Sequence, residues 1–364
     1  MVKRFEQFSQ EGPELHYYAL DWDDNILHMP TKILMDKKVG EEWKPVSVST
    51  AQFAEVRNDK DNYRLRNSNP TEAFSEFRDT GLRGDMAFLE DVKFAIKNKS
   101  FAPSWESFIK CLSEGALFAI ITARGHEPES IRRGVEFVLD EVLTKMPSIN
   151  PGFSLADEMY QNLRKFKLAF RMEESEEGQL KGLPSQNLLV KKYLDSCSFY
   201  GVSSDSFAKE FGQASASNPE VAKELALDYF IERCNEFGQN IGAKVVSIGF
   251  SDDDPKNVEH VEKFFKEKLP DMGGSVKFSL IKTTDPTIKG GEMTKFTETS
   301  HQATGMESSV LPFTKWNNMT QRLYPNSKDA PTDDYHNQMK NNLNQVSDLY
   351  KKFAFKRKKN KSKK

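Results

Sequence analysis

Asp21-Trp22-Asp23-Asp24-Asn25 follows directly on the apolar run His16-Tyr17-Tyr18-Ala19-Leu20. A strand that delivers Asp21 at its carboxyl end exposes one carboxylate for attack. Asp23, two residues on, curls back over the same place. Two acids so spaced divide the labour of phosphoryl chemistry: one, held ionised by a cation, attacks phosphorus, and the other carries a proton to the departing oxygen. Aspartate suits the attacking role because the acyl phosphate it forms is hydrolysed again. Taken alone, an Asp-x-Asp is also a common acid-rich turn.

Two further segments give it weight. Ala116-Leu117-Phe118-Ala119-Ile120-Ile121 ends in Thr122-Ala123-Arg124-Gly125. A hydroxyl and neighbouring backbone N–H groups there suit phosphoryl oxygens, helped by the start of the next helix. Arg124 either adds a bidentate contact or faces solvent. The third run, Val245-Val246-Ser247-Ile248-Gly249-Phe250, ends in Ser251-Asp252-Asp253-Asp254-Pro255-Lys256-Asn257. Acids clustered at a strand end repel one another unless a cation intervenes, which points to Mg²⁺. An EF-hand is disfavoured, since the central Gly and terminal Glu are missing at loop spacing.

Together these segments resemble the haloacid dehalogenase-like superfamily, in its phosphatase branch. Asp21-x-Asp23-x-Asn25 is similar to that family's first motif, with Asn in place of Thr. Thr122 matches the second motif, and Asp252-Asp253-x-x-x-Asn257 the DDxxxN form of the fourth. The resemblance implies Asp21 as nucleophile and Asp23 as general acid/base. It implies Mg²⁺ held by Asp21, the Asp23 carbonyl and Asp252, with Asp253 in support. An acid at position 23 favours phosphoryl transfer over dehalogenation. The third motif is a lysine near a helix start, assigned to Lys223 in Asn218-Pro219-Glu220-Val221-Ala222-Lys223, with Lys209 and Lys192 as rivals.

The elements that must position these groups read as an α/β fold. Near-continuous apolar strands with polar carboxyl ends suggest a three-layer, Rossmann-like parallel sheet with helices on both faces and its chemistry beyond the strand ends. Helices are expected over Pro103–Leu112, from Pro128 with Ile131, Val135, Val138 and Val142 on one face, over Pro219–Phe237 and over Pro255–Leu269. Val276–Ile281 reads as one more strand. Two cap-type insertions interrupt the rhythm. Residues 26–101 hold a hairpin around Gly40 and helical fragments near Ala51–Val56 and Met86–Ile96; residues 147–218 hold a Lys191–Phe199 helix candidate and an Ala214–Asn218 linker. The core thus spans 1–287. Beyond it, 288–364 is a polar extension, with Thr297–Ser300 read as loop, anchors at Val310-Leu311, Trp316 and Tyr324, and a helix over Gln338–Phe353.

Composition sets the outer bounds. The 364 residues, 37% hydrophobic and 29% charged, suit a folded chain with a real core. Cys111, Cys197 and Cys234 are odd in number and too scattered for a zinc knuckle or disulfide framework, so each reads as a small buried hydrophobe. Met1–Gly12 is polar and no run approaches a membrane span, so a cytoplasmic protein is expected. The net charge of -2 hides a basic end: Lys351–Lys364 carries eight Lys and one Arg without an acid. The lead function is Mg²⁺-dependent phosphomonoester hydrolysis on a small phosphorylated molecule. The alternatives are a phosphatase for nucleic-acid ends or another phosphorylated macromolecule, engaged through that tail, and a non-catalytic binding protein on the same fold.

Overall fold

The computed structural model describes residues 14–165, 180–212, 218–240, 245–268, 276–282 and 298–301. Its main sheet has six strands: β1 Glu14–Leu20, β5 Phe118–Thr122, β6 Ser198–Gly201, β7 Val245–Asp252, β8 Val276–Lys282 and β9 Glu298–His301, in the order β6-β5-β1-β7-β8-β9. All pairings are parallel except β8 with β9. Helices cover both faces of this parallel core. That arrangement explains the unbroken apolar runs, because a strand such as Phe118-Ala-Ile-Ile-Thr122 is buried along its whole length.

The expected helices form over Trp105–Glu114, Pro128–Val138, Pro219–Asn240 and Pro255–Lys268. Pro at the first position of three of them supplies a preset φ where no N–H partner is needed. Gly115 ends the first in the left-handed conformation, at φ 66°. Trp105, Phe108 and Leu112 bury one face of that helix beside β1.

Between β1 and β5 lies a second, antiparallel sheet: β2 Ile33–Val39, β3 Glu42–Val48 and β4 Tyr63–Leu65, in the order β3-β2-β4. The hairpin turns at Gly40, at φ 66°. Helices at Thr50–Val56 and Ala87–Lys97 match the fragments read from the sequence. Ile33, Met35, Val48 and Phe77 make a small core of their own.

Two expectations need correction, and two helices lie where none was read from the sequence. Lys191–Phe199 is not one helix: the helix runs over Leu188–Ser196, and Phe199 lies in β6, buried against Phe118 with ring centroids 5.7 Å apart. Helices at Leu155–Lys165 and Asp205–Phe211 were not expected at all. Thr297–Ser300, read as loop, contains most of β9, whose polar residues give no apolar signal and which is defined only by pairing with β8. The Ala214–Asn218 linker up to Ser217, the Val310–Tyr324 anchors, the Gln338–Phe353 helix and the basic end lie outside the described residues. No helix among the described residues is long and apolar enough to cross a membrane. All three cysteines are buried and unpaired by disulfide.

Candidate active site

β1 and β7 run side by side, with Leu20 opposite Ser251. Their carboxyl ends therefore place Asp21 next to Asp252, and one carboxylate oxygen from each of Asp21, Asp252 and Asp253 lies within 4.8 Å of the others. Lys223, from the second turn of the Pro219–Asn240 helix, enters this group: Nζ is 3.0 Å from Asp21 Oδ1 and 2.6 Å from Asp252 Oδ2. Lys209, by contrast, is exposed on the Asp205–Phe211 helix, and Lys192 lies on the Leu188–Ser196 helix.

Three acids and one buried lysine leave excess negative charge. Burial pushes the Asp21 carboxyl up to about 8, with Asp252 and Asp23 adding to the rise and Lys223 opposing it. Asp253 is pushed up for the same reasons, burial first and then Asp252. Hard carboxylate oxygens crowded at this spacing suit a divalent cation of the Mg²⁺ type. Asn257 donates to both oxygens of Asp252, at 3.0 and 3.1 Å, and the Asp254 amide donates to Oδ1 at 2.9 Å, so the Asp252 carboxylate is fixed from two sides.

Asn25 braces the loop. Its Nδ2 donates to the Asp21 carbonyl at 2.9 Å and to the carbonyl and Oγ of Ser251 at 3.1 and 2.9 Å. Its Oδ1 accepts from Ser104 Oγ at 2.8 Å. One amide thus ties the loop after β1 to β7 and to the start of the Trp105–Glu114 helix. Asp24 takes the left-handed conformation, at φ 53°, which aspartate tolerates. Its carboxylate accepts from Thr50 Oγ1 and meets His28 Nδ1 at 2.8 Å. Trp22 is fully buried between Phe88 and Phe108, with Nε1 toward Met29 Sδ.

The segment after Thr122 differs from the expectation. Gly125 N–H donates to the Phe77 carbonyl at 2.9 Å, and the Glu127 N–H donates to Asp79 Oδ2 at 2.9 Å. Ser130 Oγ donates to the same Asp79 oxygen. A carboxylate of this chain, Asp79, therefore sits at the start of the Pro128–Val138 helix, held by the Glu127 amide and the Ser130 hydroxyl. Thr122 ends β5 in a buried position next to the exposed Ala123. Arg124 neither faces solvent nor stands free for a phosphoryl group. It is 1% exposed and grips Asp23 with two bonds, Nε to Oδ2 and Nη2 to Oδ1, both 2.7 Å. The carboxylate of Asp23 stands outside the three-acid cluster.

His126, next in line, is fully buried against Phe88, and neither ring nitrogen has a partner among the described residues. Burial, and after it the charges of Arg124, Arg83 and Arg78, push its imidazole down to about 2. A histidine that ionises near pH 6.5 when unfolded and only near 2 when folded leaves stability intact above pH 6.5. That stability is lost as pH falls, by about 2 kcal/mol at pH 5. His126→Leu is expected to flatten this part of the pH profile in urea unfolding; an unchanged slope would place the titrating group elsewhere.

Gly201, at the end of β6, sits under this loop. A Cβ there would lie 2.2 Å from the His126 carbonyl and 3.0 Å from that of Arg124. Gly201→Ala must displace backbone, so we expect a loss of about 1–3 kcal/mol. Thermal melts check this, and a neutral result would show that the loop yields freely.

The segment between β1 and β5 meets the core loops repeatedly. Arg57 reaches Asp254 at 3.1 Å, Arg78 Nη1 reaches the Ser203 carbonyl at 3.0 Å, Thr31 accepts from Arg124, Thr50 donates to Asp24, the Phe77 carbonyl accepts from Gly125 and Asp79 accepts from Glu127.

Fold and site define the chain as a Rossmann-like α/β protein with a carboxylate cluster able to hold a metal ion. No family model, curated protein or solved structure matches it.

Proposed function

We propose that the protein is a phosphomonoesterase of the haloacid dehalogenase-like type, dependent on a divalent cation, Mg²⁺ by preference. The observation that carries this reading is Asp21 at the end of the central strand, touching Lys223 and sharing its site with Asp252 and Asp253. Asp21, Asp252 and Asp253 would hold the cation, together with the Asp23 carbonyl. When bound, the cation supplies positive charge opposite the phosphoryl oxygens.

The chain's own groups do the rest. A carboxylate oxygen of Asp21 forms a bond to phosphorus while the bond to the ester oxygen breaks, and Asp23 gives that oxygen its proton. Water then attacks the same phosphorus, Asp23 takes its proton, and the acyl phosphate on Asp21 breaks to release phosphate and restore both carboxyl groups. Lys223 stabilises the charge on Asp21 and on the phosphoryl oxygens throughout, and Thr122 and the Ala123 amide are the donors proposed for those oxygens.

Phosphate release from a broad panel of phosphomonoesters, with Mg²⁺ or with chelator, tests the reading. Turnover that requires the metal is expected, and folded protein that releases no phosphate from any ester would sink it. The basic run Lys351–Lys364 supports a second reading, in which the substrate is a nucleic-acid end. Deleting it would then raise KM and reduce the salt dependence of KM.

A further inference from the structure

We propose that Arg124 is the positioning residue that holds Asp23 for proton transfer, and that this link extends into the segment between β1 and β5. The proposal rests on the phosphatase reading above and adds to it a residue that none of its motifs contains.

Two coplanar nitrogens on two carboxylate oxygens, both at 2.7 Å, fix a carboxylate in direction as well as place. Asp23 therefore cannot turn without leaving Arg124. The carboxylate so held is the form left after Asp23 has given its proton to the ester oxygen, and the form that then takes one from water. Arg124 is itself fixed. Its guanidinium lies over Phe77 at 4.6 Å and Phe88 at 5.4 Å, and Nη2 also donates to Thr31 Oγ1 at 2.7 Å. Thr31 donates to Asp91, which accepts from Arg83 at 2.7 Å. A chain of bonds thus runs from the proton carrier to the Ala87–Lys97 helix. Nη1 of Arg124 has no partner among the described residues.

The test compares an ester that needs proton donation with one that does not. Ethyl phosphate loses a strongly basic oxygen; para-nitrophenyl phosphate loses a stable phenolate. In Arg124→Lys and Arg124→Gln, kcat/KM for ethyl phosphate should fall by about 10²-fold or more, the scale of general acid catalysis. For para-nitrophenyl phosphate the fall should stay within about tenfold. Asp23→Asn should show the same selectivity, and adding Arg124→Gln to it should cost nothing further. Equal losses on both esters, or faster turnover in the variants, would overturn the role of Arg124 and leave the phosphatase reading standing. Wild-type protein inert on both esters and on the wider panel would remove both. Should Arg124→Gln fail to fold, Arg124→Lys, which keeps the charge and loses the fork, decides the matter.

Discussion

Asp21→Asn should abolish phosphate release, by at least about 10⁴-fold, while leaving the protein as stable as before or more so. The first half follows from the role: an amide oxygen does not form the acyl phosphate, and loss of a nucleophile typically costs a large part of the whole acceleration. The second half follows from the site. Burial and two neighbouring acids raise the Asp21 carboxyl to about 8. A carboxyl whose folded value lies above its unfolded one destabilises the fold as pH rises past about 4, and an amide removes that penalty. Lys223 keeps Asp252 at 2.6 Å as its partner. Turnover and thermal melting on one purified variant check both halves. Substantial turnover would refute Asp21 as nucleophile; a collapsed melting temperature would show Asp21 to be structural.

Lys223→Met should do the reverse and strike stability as well as activity. The lysine is buried, and its ammonium is the cation touching both Asp21 and Asp252. Those carboxylates, and burial's opposition to them, decide its charge: the two acids prevail and hold it protonated. Removing one partner from a buried ion group leaves the others uncompensated, which commonly costs about 3–5 kcal/mol. We expect a loss of that size in urea unfolding with chelator present. Millimolar Mg²⁺ should recover part of it, because a divalent cation would compensate the same carboxylates. Turnover should fall by about 10²–10³-fold even with Mg²⁺, as when a preorganised charge is lost. If stability does not depend on Mg²⁺ in the variant, the carboxylates do not bind metal there.

The elements that bury themselves on both sides were legible in the sequence. β5 reads as an apolar run because it is buried along its whole length, and β1 and β7 because most of their described residues are buried; each ends where polar residues begin. The acids at those ends were legible for the same reason, and Lys223 as the lysine near a helix start that the resemblance implies. β6 was hidden because Ser198-Phe-Tyr-Gly201 is short and directly follows a helix, so no turn signal separates the two. The grip of Arg124 on Asp23 was hidden differently. Nothing local to Arg124 sets its direction; the fork depends on β1 and β5 being neighbours and on Phe77 and Phe88 closing over the guanidinium. The place of Asp79 at the start of the Pro128–Val138 helix belongs with it, since Asp79 arrives from a part of the chain whose path no periodicity reveals.

The strand order has a consequence for biosynthesis. β1 is made early, yet one neighbour, β5, comes roughly 100 residues later and the other, β7, roughly 230 later. At translation rates of about 5–20 residues per second, β1 waits about 10–50 s for β7. During that time an apolar strand has an unpaired edge, which invites chaperone binding or mispairing. Asp21 meets Lys223 and Asp252 only as that wait ends. A nascent chain therefore carries Asp21, the proposed nucleophile, long before the lysine and the acids beside it, and on that proposal a chain stalled before β7 releases no phosphate.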